Sequence, residues 1–415
     1  MTPARADAYR RAATAPAGGL LILGAALAVA GLGLFVVQLL GDDPARAWRV
    51  FLVNFVFFTG LASGAVIFAA TQKITRGVWS GPVIRFAEAA VAFLPVAVLL
   101  FLLLWLGREH LFPWIAHPTP ARGKWLTVPW VFWRDLAALM LVEGLAIAFV
   151  LTELKPDLHA LRDQTGGWRG EFYRRLLGDY DGSPAALAGV ERRLTILAPI
   201  LVLAWAYAFS LLAFDLIMSL APYWVSNLFG AYYFMGSFLT GLTMLGLMTL
   251  YWRRRLSLEA IIGRQQFHDL GKLIFGFTVF WAYLTYSHVL VIWYGNLPEE
   301  TAFIFFRMWG AWQPVAILVL VLVFVIPFWG FLFVKTKITP VTFALVTAIS
   351  IFGMWLERYL QVQPSLSETP HFGLPEIAVT LGFLGLFLLA YGLFARALPM
   401  VSPRLAEQAA GLEHH

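Results

Sequence analysis

Hydrophobic residues occur in long, nearly uninterrupted runs along this chain, and short turns rich in polar residues, glycine and proline separate them. Each run is about 20 residues or longer, which is the length that an α-helix needs to cross a bilayer. The pattern predicts an all-α polytopic membrane protein that forms a single membrane domain over residues 1–411. Ten transmembrane helices are predicted near residues 18–40, 48–71, 83–106, 127–152, 194–218, 224–251, 270–293, 310–334, 339–358 and 375–397.

The segments between these runs are too short to form soluble domains. The longest, residues 153–193, is polar and glycine-rich, and we predict a loop there. The first apolar run is too long for the core of a signal peptide and lacks a small-residue cleavage site, so no cleavable signal is expected. Residues 412–415 resemble the remnant of an affinity tag.

Positive charge indicates the orientation in the membrane. Lysine and arginine are concentrated in the N-terminal segment, in the segments after the even-numbered spans, where Arg85 is counted with Lys73 and Arg76, and in the C-terminal segment. The positive-inside rule therefore predicts that both termini and the loop 153–193 are cytoplasmic. The formal net charge of +6 reflects this topology. Nucleic acid is not an expected partner, because a basic face on a soluble domain is missing.

Composition limits the chemistry that this chain can perform alone. It is 60% hydrophobic and 13% charged, and it contains no cysteine, which excludes disulfides, cysteine-ligated iron–sulfur clusters and covalently attached haem. Only His288 lies within a predicted span, so a haem with two axial histidines has no obvious ligand pair. Neither a metal-binding spacing nor a catalytic motif is found. Any redox centres are therefore expected in other subunits.

We single out six ionisable residues inside or just within the predicted spans. A charge at the centre of a bilayer costs about 2.5–3.5 kcal/mol on insertion scales, so each needs a partner, a wet cavity or a proton. The alternatives are an ion pair that holds helices together and a group that relays protons. The six residues are Glu88, Arg134, Asp135, Glu143, Asp215 and His288.

The predicted topology divides these residues by depth. Arg134, Asp135 and Asp215, together with Asn54, are expected near the outer ends of their helices, whereas Glu88 and Glu143 are expected nearer the cytoplasm. Such an arrangement matches two half-channels for protons. Arg134 is predicted to pair with Asp135 or Asp215. The other two carboxyls have no obvious basic partner in the membrane, which favours a functional role for them.

The stretch WAYLTYSHVLVIWYGNLPEET (281–301) places polar side chains in an apolar helix. Near the outer rim, His288 could bond a quinone oxygen, pass a proton or bond a backbone carbonyl, and Tyr286 could extend a polar path. After this helix, Asn296 is predicted to cap a short outer helix with Pro298 in its first turn.

Several stretches resemble one known family. They include FDLIMSL (214–220), IWYGNLPEE (292–300) and longer segments at 57–98 and 370–393. Together they resemble the ActF-type integral membrane subunits of bacterial alternative complex III, within the NrfD-like superfamily. The resemblance extends along nearly the whole chain and includes the count of ten spans. It departs from the family at His288, where glutamine is common.

The resemblance implies a place in a larger assembly. Alternative complex III oxidises menaquinol or ubiquinol and passes electrons to cytochrome c or directly to an oxidase. Its redox centres lie in an iron–sulfur subunit and in cytochrome c subunits, and its quinol site is assigned mainly to an ActC-like membrane subunit. The ActF-type subunit is implied to bind no cofactor, to conduct or translocate protons, and to fold as two four-helix bundles plus extra helices. The implied location is the lipid bilayer of the bacterial cytoplasmic membrane.

Three hypotheses follow. The first is a cofactor-free, proton-handling subunit of a respiratory or photosynthetic quinol-oxidising complex. Its predicted path comprises Glu88, Asp135, Glu143, Asp215, Tyr286 and His288. The second is a membrane anchor that binds menaquinone or ubiquinone for a periplasmic iron–sulfur or cytochrome partner. Its candidate ligands are Asn54, Arg134, Asp135 and His288. The third is an assembly scaffold in which all the buried charges form structural pairs.

Overall fold

A computed structural model describes residues 3–118 and 123–412 of the chain. These residues form helices and connecting turns and contain no strand, which confirms the all-α prediction. Of the predicted tag remnant, residues 413–415 lie outside the described part.

Ten helices in the described residues are long and apolar enough to cross a membrane, as predicted. Several extend beyond the predicted spans because their ends continue as polar helix. The helices are α1 (Gly18–Leu39), α2 (Pro44–Thr75), α3 (Ile84–Leu111), α4 (Val128–Leu161), α5 (Pro184–Leu216), α6 (Phe229–Arg255), α7 (Arg264–Gly295), α8 (Gly310–Leu332), α9 (Pro340–Val362) and α10 (Leu374–Ala397).

The helices pack as two four-helix bundles and one helix pair. Helices α2 to α5 contact one another as the first bundle, and α6 to α9 form the second. The remaining two, α1 and α10, pack along each other and against α2. The two bundles meet mainly where α2 lies against α6. The most apolar stretch of α2 is buried completely, so this helix is the centre of the molecule.

Small residues allow the two bundles to approach closely. A Cβ atom on Gly64 would lie 2.3 Å from the backbone oxygen of Ser237, and one on Gly241 would lie 2.3 Å from the backbone nitrogen of Ala65. Gly60 meets the Ser237 side chain one turn away. Close contact between helix backbones increases the van der Waals attraction, which is the main source of helix association in lipid.

Both termini lie at the same end of the molecule. The amide of Met400 donates to the carbonyl of Ala12 at 3.0 Å, and the hydroxyl of Tyr9 donates to Glu407 at 2.7 Å. An even number of spans requires this arrangement. We call this the inner end, since the charge distribution predicts that it is cytoplasmic, and the opposite end the outer end.

Two local predictions are wrong. The segment 153–193 is mostly helical rather than a loop: α4 continues to its end at residue 161, a helix follows at Gly167–Leu177, and α5 begins after the capping residue Ser183. Its polar residues extend α4 because Glu153 and Asp157 are buried in ion pairs. Asn296 does not begin the outer helix Pro298–Met308; it ends α7 in a left-handed conformation, with φ of 48°.

Candidate functional site

Helix α4 carries a row of four buried carboxyl side chains. They are Asp135, Glu143, Glu153 and Asp157, and each is at most 5% exposed. At a rise of 1.5 Å and a turn of 100° per residue, the row extends about 33 Å along the helix and stays within an arc of about 80°. That length is close to the thickness of the hydrocarbon core of a bilayer, about 30 Å. One face of one helix therefore presents acidic groups at the outer end, the middle and the inner end.

At the outer end of the row, an arginine of α4 forms an ion pair with an aspartate of α5. Asp215 accepts two hydrogen bonds from Arg134, at 2.8 Å and 2.5 Å, and a third from the indole of Trp125 at 2.8 Å. The guanidinium of Arg134 also lies 3.9 Å from the centre of the Trp125 ring. The predicted ion pair of Arg134 is thus present, and its partner is the aspartate on the neighbouring helix.

Asp135 lies beside this pair without a donor of its own. Neither of its oxygens accepts a hydrogen bond from a described donor group, although its carboxyl lies within interaction distance of Asp215. The carboxyls of Asp135 and Asp215 lie close to each other beside a single cation, Arg134, and can hold one proton between them, because like charges at short range disfavour double ionisation. The outer cluster can therefore accept and release a proton without losing its ion pair.

Glu143 is the isolated member of the row. It forms no ion pair with any described residue, and its Oε1 atom is buried without a hydrogen-bond partner. Along the axis it lies about 12 Å from Asp135 and about 15 Å from Glu153. The prediction that it has no basic partner agrees with these contacts. An isolated buried charge is costly, so this carboxyl needs a proton or water nearby.

The corresponding prediction for Glu88 is wrong. Arg85, one turn earlier on α3, bonds Glu88 at 2.6 Å and Asp157 on α4 at 2.6 Å. The two side chains of the Arg85–Glu88 pair are fully buried. Sequence analysis counted Arg85 among the charges of a cytoplasmic segment, although its spacing of three residues from Glu88 on a helix was a signal for pairing.

The inner end of the row also contacts the C-terminal helix Pro403–Leu412. Arg404 lies 3.2 Å from Glu153 and 2.7 Å from Glu191, and Glu191 also pairs with Lys73. A cavity of about 460 Å³ adjoins this cluster and is bordered by Glu153, Glu191 and Lys73. The inner end therefore combines compensated acidic groups with space for water.

A second cavity, of about 390 Å³, lies in the other bundle and contains His288 in its wall. The Nε2 atom of His288 lies 2.7 Å from the hydroxyl of Ser226. Tyr286, predicted to share its path, is 63% exposed on the opposite side of α7, so it does not line this cavity. Helical geometry separates the two, since residues two apart do not face the same direction.

Sequence analysis missed the other polar side chains of this cavity. Tyr232, Arg307, Glu357 and Gln361 all contribute to its wall. Glu357 forms an ion pair with Arg358 at 3.1 Å and also accepts a hydrogen bond from Gln361. Arg307 and Gln361 lie outside the predicted spans, and Glu357 is the next-to-last residue of the span predicted at 339–358, so these residues were not recognised as buried. Glu357 and Gln361 are four residues apart on an apolar helix, and this spacing was the sequence signal that the two polar side chains share one helix face.

The four residues predicted to hold a quinone do not form one site. Asn54 is engaged inside the protein: its amide donates to the carbonyl of Val50 at 2.9 Å and its oxygen accepts from Trp355 at 3.0 Å. Arg134 and Asp135 belong to the outer cluster of the first bundle, whereas His288 lies in the second. The four side chains therefore lie at three separate places in the protein.

The described residues contain no group of three or more histidine, aspartate or glutamate side chains that could hold a metal ion. No protein-family model matches the chain, and no curated protein matches it. The function is therefore inferred from the residues themselves.

Proposed function

We propose that this chain is the proton-conducting membrane subunit of a quinol-oxidising electron-transfer complex. The observation that supports the proposal most strongly is the row of buried carboxyls on α4, which extends through the thickness of a bilayer on one helix face. A purely structural role requires a partner for every buried charge, because an unpaired charge destabilises the fold. Glu143 has no such partner, so a scaffold does not account for it.

Each group of residues has a separate role along the proposed proton path. The outer cluster of Arg134, Asp135 and Asp215 exchanges a proton with the outer side. Glu143 carries the proton across the middle of the membrane, where a carboxyl alternates between its neutral and ionised forms. The inner cluster exchanges protons with the cavity beside Glu153. The gaps of about 12 and 15 Å along α4 exceed a hydrogen bond, so water molecules must bridge them.

The free energy for proton movement would come from quinol oxidation in partner subunits. The resemblance to ActF-type subunits supplies this context: an ActC-like membrane subunit, an iron–sulfur subunit and cytochrome c subunits would carry the quinol site and the redox centres. The composition agrees with this assignment, since the chain has no cysteine and only one histidine, His288, inside the spans predicted from the sequence.

The test is proton translocation by the intact complex in sealed proteoliposomes. We expect Glu143→Gln to retain quinol oxidation while the number of protons translocated per electron falls at least severalfold, because an amide cannot release a proton. Glu109→Gln is the matched control, since Glu109 is exposed near the outer end of α3. If translocation and oxidation are both unchanged, Glu143 is structural and the scaffold hypothesis replaces this proposal. Loss of quinol oxidation in a fully assembled complex would instead assign Glu143 to the quinol reaction.

A further inference from the structure

The inner end of the second bundle contains a cavity of about 420 Å³ whose charged lining is entirely basic. It lies where α6 ends and where α7 and α9 begin. Its charged wall residues are Arg253, Arg264 and Lys335, and none of the described aspartates or glutamates contributes to the wall. We call it the basic cavity.

The cations of the basic cavity have no acidic partner among the described residues. Arg264 and Lys335 are exposed and form no ion pair there, and Arg253 donates its Nε–H to the backbone carbonyl of Ile262 at 2.9 Å. The adjacent Lys337 is only 7% exposed and also forms no ion pair with a described residue. Like charges gathered in this way repel one another, so an anion would stabilise them.

The inner end of the first bundle shows the opposite arrangement. There each of three basic residues forms an ion pair with an acidic side chain, namely Lys73, Arg85 and Arg404. Around the basic cavity, neither Glu259 nor Asp269 contributes to the wall, and Asp269 already pairs with Lys272 at 3.2 Å. The orientation in the membrane explains basic residues at both places, but it does not explain why only one of them lacks acidic partners.

Two long helices begin at the basic cavity. Gly263 and Thr339 line it, and they are the capping residues that precede α7, of 32 residues, and α9, of 23 residues. The first N–H groups of a helix have no intrahelical acceptor, and the helix dipole adds positive potential at that end. Together with the basic side chains, these helix ends suit an anion such as a phosphodiester.

Apolar residues beside the basic cavity indicate that this anion belongs to a lipid. Phe333 and Val334 precede Lys335 and are 59% and 54% exposed, and Val341 in the first turn of α9 is 76% exposed. A soluble anion would leave these side chains uncovered, whereas the acyl chains of a lipid would cover them. Basic pockets between transmembrane helices on the cytoplasmic side are typical sites for anionic headgroups.

We propose that the basic cavity binds the headgroup of one anionic phospholipid from the inner leaflet. Arg264 and Lys335 hold its phosphodiester, and its acyl chains lie along Phe333 and Val341. The lipid supplies the negative charge that the protein lacks at this place, and it joins the inner ends of α6, α7 and α9. The site goes beyond proton conduction, because it lies in the bundle that does not contain α4.

The test is native mass spectrometry of the full chain in detergent micelles, titrated with dioleoyl phosphatidylglycerol. Dioleoyl phosphatidylcholine has the same acyl chains and no net charge, so its first molecule should bind about tenfold more weakly or worse. Arg264→Gln and Lys335→Gln each remove one charge from an exposed side chain. Each should weaken binding of the first phosphatidylglycerol about fivefold, which is the contribution of one basic residue near an anionic headgroup, and should not alter binding of phosphatidylcholine.

Arg192→Gln/Arg193→Gln is the matched control. Both arginines are exposed near the inner end of α5 in the first bundle and do not line the basic cavity, so phosphatidylglycerol should bind as in wild type. Glu143→Gln should also leave binding unchanged, so this proposal and proton conduction fail independently. The proposal is refuted if wild type binds the two lipids equally, or if Arg264→Gln/Lys335→Gln binds phosphatidylglycerol like wild type.

Glycerophosphoglycerol, the same headgroup without acyl chains, distinguishes a lipid from a soluble anion. We expect it to displace phosphatidylglycerol only in large excess, because it cannot cover the apolar residues beside the cavity. Displacement at equal concentration would show that the basic cavity is a site for a soluble phosphodiester, and the assignment to a lipid would then be wrong.

Discussion

Arg85 on α3 pairs with Glu88 on the same helix and with Asp157 on α4, both buried, so its removal should be costly. In Arg85→Met, Glu88 and Asp157 each lose a charge-assisted hydrogen bond of 2.6 Å and stay buried. Breaking a buried ion pair by removing one partner costs about 3–5 kcal/mol, because the remaining charge has no compensation. We therefore expect the free energy of unfolding to fall by about that amount at neutral pH.

The measurement is reversible unfolding of the purified chain in mixed micelles, titrated with dodecyl sulfate. The triple variant Arg85→Met/Glu88→Gln/Asp157→Asn removes all three charges, and replacement of whole buried ion clusters is often close to neutral. It should therefore recover most of the loss. Arg108→Met is the matched control, since Arg108 pairs with the exposed Glu109 and should cost at most about 1 kcal/mol. A loss below about 1 kcal/mol in Arg85→Met, or a triple variant as unstable as the single one, would refute the electrostatic explanation.

Two further predictions concern packing. Gly31→Leu should lower the free energy of unfolding by at least about 1–3 kcal/mol, because a Cβ atom there would lie 2.2 Å from Gly382. Gly33→Leu is the control: its side chain meets open space, so it should be nearly neutral in the same titration. Asn54→Leu should lower the free energy of unfolding by about 1–3 kcal/mol in that titration, because the buried indole of Trp355 loses its hydrogen-bond acceptor. A stability equal to that of wild type would contradict this reasoning.

Sequence patterns predicted the spans well because bilayer thickness restricts helix length directly. They also identified Arg134 as half of an ion pair and Glu143 as a carboxyl without one. They failed where a charge near the end of a span could lie either in water or inside the protein. Arg85 was assigned to a cytoplasmic segment on composition, although it is buried between two acids.

The same ambiguity concealed the second cavity. Arg307 and Glu357 lie near the outer ends of helices, where a charged residue normally meets water. Their burial depends on how the outer helix and α9 pack against α6 and α7, and local spacing contains little information about that packing. The carboxyl row on α4 was partly visible, since Asp135 and Glu143 were recognised, but Glu153 and Asp157 were lost to a predicted loop.

The close pairing of α1 with α10 has a consequence for synthesis. A Cβ atom on Gly385 would lie 2.2 Å from the backbone of Ala28, so each of these helices requires the other to fill its surface. Their bounds show that α1 enters the membrane hundreds of residues before its partner. At a translation rate of about 5–20 residues per second, α10 is synthesised on the order of tens of seconds after α1. During that interval the glycine-lined face of α1 is open to lipid and to other proteins, so a chaperone that holds single helices would protect the nascent chain.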